Sequence, residues 1–181
     1  IMENIDYLKI ASNIHNSIKN EILNLLMSNQ NLTLTELRNI IESLILNELS
    51  KYENINKKGL AFPIGLSGDS IVAHYTPTNI PNNFKETLPY YLNPDSRVKD
   101  FKILKIDYGI HIDGNIIDKA FSVNVNSSDS ESILIEASKS AVDYMRKNMG
   151  VDTRLNELAS SAREIVESYE INDNKLKIVD N

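Results

Sequence analysis

The chain has 181 residues, a size that fits one domain or a large piece of one. Lysine plus arginine total 19 against 25 aspartates plus glutamates, and the net charge of −6 argues against a partner gripped by phosphate neutralisation. Hydrophobic residues at 41 % exclude wholesale disorder, and the lack of cysteine excludes a disulfide scaffold, a thiolate metal site and a cysteine nucleophile. No apolar run approaches the ~20 residues of a membrane span. The polar opening Ile1-Met2-Glu3-Asn4 shows no signal peptide. The expectation is therefore a cytoplasmic protein with neither a membrane nor a nucleic-acid partner.

Residues 2–28 place Tyr7, Ile10, Ala11, Ile14, Ile18, Ile22 and Leu25 three and four apart, one face of a helix. His15 falls on the polar side of that helix and is given no function. Thr33-Leu34-Thr35-Glu36 fits a capping box that opens a second helix, with Leu37, Ile40, Ile41, Leu44 and Ile45 on its inner face. Gly59 and Pro63 break regularity, and residues 70–75 read as a short strand. Residues 78–101 read as a loop insertion, rich in proline. Tyr90, Tyr91 and Arg97 within it could edge a site or face a partner, although an ordinary surface insertion is the favoured reading. Two β-prone runs, 103–112 and 115–125, flank Asp113-Gly114, the strongest short hairpin signal. Helical spacing returns from Ile133 to Met145, with Gly150 as a stop. Asp152-Thr153 is placed to cap a last helix running through Leu155, Leu158, Ala162 and Tyr169. The tail Leu176-Lys177-Ile178-Val179 reads as a strand, and a domain that stops there looks cut short.

The hairpin carries the chemistry. A two-residue turn at Asp113-Gly114 pairs Ile112 with Asn115, hence Gly109 with Asp118 and Asp107 with Ala120. Alternation then puts Asp107, Gly109 and His111 on one face together with Ile116, Asp118 and Ala120. Asp107 and Asp118 become diagonal neighbours, roughly 7–8 Å apart at the backbone, with small residues between them that leave a hollow. Two carboxylates aimed into one hollow need a cation or a shared proton. A pair of divalent ions would resolve the repulsion and activate water, and oxygen ligands suit Mn, Fe, Co or Zn. The plainer reading, two aspartates at solvated hairpin ends, stands beside it with equal weight. A one-residue bulge would send the two to opposite faces and end the pairing argument.

Lys105-Ile106-Asp107-Tyr108-Gly109, followed by Gly114-Asn115-Ile116-Ile117-Asp118-Lys119-Ala120-Phe121, resembles the type 2 methionine aminopeptidases. Gly59-Leu60-Ala61-Phe62-Pro63-Ile64-Gly65 and Ala73-His74-Tyr75-Thr76-Pro77 resemble the same family's signatures, the second being the more diagnostic. The resemblance implies an α/β pita-bread fold with a central pair of divalent metal ions. Residues 1–181 would be a single partial domain, the first half of its catalytic domain. It implies removal of the first methionine from nascent polypeptide N-termini, water activated by two metals attacking the first peptide bond. Asp107 would chelate one ion and Asp118 would bridge both. His74 would stand beside the scissile bond, contacting substrate and stabilising developing charge, and Phe62 would line the methionine pocket. Ribosome association is expected of co-translational enzymes, though no residue here shows it.

The family also uses one histidine and two glutamates that this sequence does not supply, so the isolated chain is expected to be inactive. His111 lies on the metal-facing side of its strand, but the family's pattern does not use it, and a supporting or surface role is favoured. Two other readings remain: a non-catalytic pita-bread binding protein of the proliferation-associated or ribosome-associated kind, and a prolidase-type exopeptidase.

Overall fold

A computed structural model describes residues 2–126 and 128–178, which fall into two compact units, residues 1–126 and 127–181. In the first unit, α1 (Met2–Ser28) and α2 (Leu34–Ser50) pack together beside a four-stranded antiparallel sheet. Its strands are β1 (Lys58–Leu60), β2 (Gly65–Gly68), β3 (Ile103–Ile112) and β4 (Asn115–Asn124). The long β3 is the hub: β4 pairs along one edge, while β2 and β1 share the other.

The capping box at α2 forms as expected, because Thr33 Oγ1 accepts from the Glu36 N–H while the Glu36 carboxylate accepts from the Thr33 N–H. The inner stripes also form. Ala11, Ile14, Ile18 and Ile22 of α1 and Leu34, Leu37, Ile41 and Ile45 of α2 are buried in one core with Ile106, Tyr108 and Ile110 of β3. Each fully buried aliphatic chain stabilises by about 1.5–3 kcal/mol, so this seam is what holds α1 on the sheet.

His15 departs from expectation. It is not on a polar side but fully buried, stacked on Tyr108 with ring centroids 3.9 Å apart. Its place at i+4 from Ala11 and i−3 from Ile18 puts it inside the apolar stripe. Its ring nitrogen is satisfied there by backbone oxygens, which is what lets a polar group enter a core.

The short strand also falls elsewhere. Residues 65–68 pair with β3, whereas 70–75 run as an irregular loop that follows left-handed Asp69 (φ 44°) and contains left-handed His74 (φ 66°). Gly68 is a strand residue because nothing larger fits: an added Cβ would lie 2.1 Å from the Phe101 ring. Residues 78–101 hold a single helical turn, α3 (Asn82–Lys85), and two 3-10 turns. This stretch is stitched to the start of α2, with Leu34 N–H donating to Ser96 O and Val98 N–H to Leu32 O.

The second unit pairs α4 (Asp129–Asn148) with α5 (Leu155–Glu167) and closes on a two-residue-per-strand hairpin, β5 (Glu170–Ile171) with β6 (Asn174–Lys175). Thr153 does not cap α5. Its hydroxyl donates back to Asn148 O and accepts from Gly150 N–H, closing the end of α4 instead. Residues 176–178 are not a strand, the pairing having been made at 174–175, and Val179 lies outside the described residues.

Candidate metal centre

The hairpin turn sets the site. Asp113 (φ 50°) and Gly114 (φ 81°) both take the left-handed backbone of a two-residue turn that matches strand twist. From there the ladder runs without a bulge, Gly109 opposite Asp118 and Asp107 opposite Ala120. Both carboxylates therefore leave the sheet on the same face, away from the α1 core. The turn's register alone gives this result, because one slipped residue would invert it.

A hollow of about 340 Å³ opens over that face, lined by Asp107, Asp118, His74 and Phe62 together with Pro63, Gly65 and Thr76. The four residues singled out from sequence thus meet in one place. They come from three separate stretches: the β1–β2 connection, the loop after β2, and the β3–β4 hairpin. The space over Gly109 is not open, however. The Phe62 ring lies across it, and a Cβ at residue 109 would come within 2.3 Å of Phe62 Cε1. Gly109 is what lets Phe62 reach the carboxylates. On the other side Gly65 faces Asp107 across the β2–β3 pair, where an added Cβ would stand 3.3 Å from Asp107 Cβ.

Electrostatics mark Asp107 as the strained member. Burial raises its pKa, and the Asp118 carboxyl, by charge and by hydrogen bonding, pushes the same way against an opposing pull from His74. Asp107 Oδ1 is buried with no hydrogen-bond partner. An orphaned carboxylate oxygen beside a second carboxylate is a donor set for a hard or borderline cation. Among the described residues, no group of three or more His, Asp or Glu could hold a metal ion by itself. By themselves the two aspartates fit only part of a divalent-metal site.

His111 shares the strand face but sits at the β1 end, opposite Gly59, with its Nε2 3.3 Å from where a Cβ on Gly59 would be. It is not among the residues lining the hollow, and neither are Tyr90, Tyr91 and Arg97. The Tyr90 hydroxyl donates to Asp69 Oδ2 at 2.5 Å, and Arg97 reaches Asn31 O at 2.6 Å. These residues anchor the 78–101 stretch. Asp69 went unnoticed in the sequence, yet its Oδ1 also accepts from the Lys102 and Ile103 N–H groups, pinning the start of the loop that carries His74.

The signature of metallopeptidase family M24 matches residues 6–177. The chain belongs to metallopeptidase family M24. Within that family it is 34 % identical over 143 residues to methionine aminopeptidase 2 of Candida dubliniensis, covering 79 % of this chain and 28 % of that protein. To methionine aminopeptidase 2 of Debaryomyces hansenii it is 31 % identical over 164 residues, 89 % of this chain and 34 % of that one. The chain thus spans about a third or less of the curated relatives it matches. In fold it resembles the X-Pro aminopeptidase of Thermotoga maritima, with a TM-score of 0.65 at 17 % identity over 93 % of this chain and 42 % of that one. It equally resembles the N-terminal domain of FACT complex subunit SPT16 from chickpea, with a TM-score of 0.64 at 14 % identity over 92 % and 38 %. The fold is the α/β pita-bread fold expected from the sequence. M24 membership implies a divalent metal cofactor, consistent with the paired carboxylates.

Proposed function

We propose that this chain forms one wall of a dinuclear metallo-aminopeptidase centre that removes the initiator methionine from nascent polypeptides in the cytoplasm. The observation that carries the reading is the meeting of Asp107 and Asp118 on one bulge-free hairpin face, with His74 and Phe62 in the same hollow. Similarity to type 2 methionine aminopeptidases supports the substrate class.

Asp107 and Asp118 would hold the metal, Asp118 lying exposed and free to face a second ion. When bound, divalent metal supplies Lewis acidity and a water nucleophile at neutral pH. The protein's own groups do the rest. His74 is exposed at the rim of the hollow, where its ring can donate to charge developing on a substrate carbonyl. Phe62 and Pro63 give an apolar wall for an unbranched thioether side chain. The wall is small and close to the carboxylates, which suits a substrate whose first residue alone is buried.

The retained carboxylates and histidine favour a catalyst over a binding module of the same fold. The test uses the polypeptide in which this chain is joined to its remaining donors. Asp118→Asn should abolish release of methionine from a Met-Ala peptide, and full activity in that variant would overturn the reading. Faster cleavage of an Xaa-Pro peptide than of Met-Ala would redirect it to the prolidase type.

A further inference from the structure

We propose that His15 is a positioning residue for the metal centre: from the core side of the sheet its ring N–H ties β3 to β4 one residue beyond each carboxylate. The inference rests on the metal reading above.

His15 Nε2 lies 3.1 Å from Tyr108 O and 3.2 Å from Lys119 O. Both partners are carbonyl oxygens, which only accept, so Nε2 carries the proton and shares it between them. Tyr108 and Lys119 face each other in the ladder. Each directly follows a proposed ligand, Asp107 or Asp118. One imidazole thus bridges the two strands at the rung next to the carboxylate pair, on the opposite face of the same sheet.

The ring is itself held in place. It stacks on the Tyr108 ring with an interplanar angle of 9°, and the Tyr108 hydroxyl donates to the His15 carbonyl at 2.9 Å. Lys119 Nζ adds a parallel tie, donating to Ser12 Oγ at 2.9 Å and Asn16 Oδ1 at 3.1 Å on either side of His15. Helix α1 therefore grips the hairpin with hydrogen bonds at this rung, beside the aliphatic packing of Ala11, Ile14, Ile18 and Ile22 and the Lys19 ammonium over the Phe121 ring.

A merely space-filling role fits poorly. His15 Nδ1 is buried with no hydrogen-bond partner. Burial also drives the ring's pKa below its ordinary value, so the ring stays neutral. A leucine would fill the position without an orphaned nitrogen. What leucine lacks is the donor that joins the two carbonyls. Groups that hydrogen-bond a metal ligand directly weaken metal binding by about 10- to 100-fold when lost, and His15, which acts one residue removed through the Tyr108 and Lys119 carbonyls, belongs at the lower end of that range.

The test compares His15→Phe, which keeps a stacked ring and removes the donor, with His15→Gln, which restores an N–H donor. Ile18→Ala is the control, a fully buried residue of the same helix with an aliphatic side chain. Mn(II) affinity is read by electron paramagnetic resonance on the polypeptide in which this chain is joined to its remaining donors, with metal as the only added ligand. The expected result is a loss of about 10-fold or more in His15→Phe, recovery of most of it in His15→Gln, and less than twofold change in Ile18→Ala. Wild-type affinity in His15→Phe, or an equal loss in Ile18→Ala, overturns the proposal.

Amide hydrogen exchange of residues 107–109 and 118–120 in the metal-free chain separates this from failure of the metal reading. If that polypeptide, unsubstituted, binds no Mn(II), the metal reading fails. The clamp still stands if exchange at those residues rises at least tenfold in His15→Phe over Ile18→Ala, and falls if the two exchange alike. Should His15→Phe not fold, Tyr108→Phe, which removes only the hydroxyl bond to His15, replaces it in both assays. A several-fold change supports the clamp and none overturns it.

Discussion

The two faces of the β3–β4 hairpin share one backbone and differ in every other respect. On the core face Ile106, Tyr108 and Ile110 are fully buried against α1 and α2. On the site face Asp107 and His111 are half-buried, Asp118 is exposed, and buried Gly109 is covered by the Phe62 ring and the Ala61 methyl. The first face gains its free energy from area removed from water. The second holds a carboxylate oxygen without a partner and a pair of like charges, so it costs free energy when metal is absent. Alternation along a strand allows both, and rigidity acquired on one side is delivered to the other.

Four changes break or sharpen that contrast, from the largest expected effect to the smallest. Tyr108→Ala removes a buried ring from the core face and should cost about 3–5 kcal/mol in urea denaturation. A cost under about 1 kcal/mol would mean the stacked core is not what stabilises the hairpin. Gly109→Ala acts from the site face by driving a methyl group into Phe62, and should cost about 1–3 kcal/mol. Adding Phe62→Ala should return part of that loss, the Ala61 methyl still lying 3.0 Å from the new Cβ, and a double-mutant cycle measures the coupling.

Asp107→Asn should run the other way in metal-free protein, raising stability by about 1 kcal/mol because the strained carboxylate is gone, while Mn(II) no longer protects against unfolding. Equal stability gains with and without Mn(II) would show that the carboxylate is not a ligand. The smallest effect is a pH dependence. His15 has its folded pKa lowered by burial below 6.5, so its contribution is intact above pH 6.5. As pH falls below that value the unfolded chain takes up a proton that the folded ring resists, and stability declines until the folded pKa is passed. In His15→Phe the decline over this range should flatten.

Much of this was legible in the sequence. Asp113-Gly114 fixes the hairpin register, and with it the shared face of Asp107 and Asp118, because a two-residue turn leaves no freedom. Thr33 and Glu36 announce the start of α2 in the same local way. The misses came from non-local packing. Gly65-Leu66-Ser67-Gly68 has glycine at both ends and does not look like a strand, yet Phe101 and Asp107 press on those positions and tolerate nothing bulkier. Ile71-Val72-Ala73-His74-Tyr75 is β-prone by composition, but left-handed His74 interrupts it. The place of His15 is legible in its spacing rather than its polarity: positions 11, 15, 18 and 22 form an unbroken helical stripe.

His74 also has a consequence for tolerance to change. Left-handed backbone at a non-glycine residue costs about 1–2 kcal/mol, a charge on the fold that asparagine or glycine would escape and a β-branched side chain would worsen. A saturation screen at this codon therefore reads two quantities superimposed, tolerance of the loop's path and need for an imidazole. Asparagine separates them: it inherits the path and discards the ring.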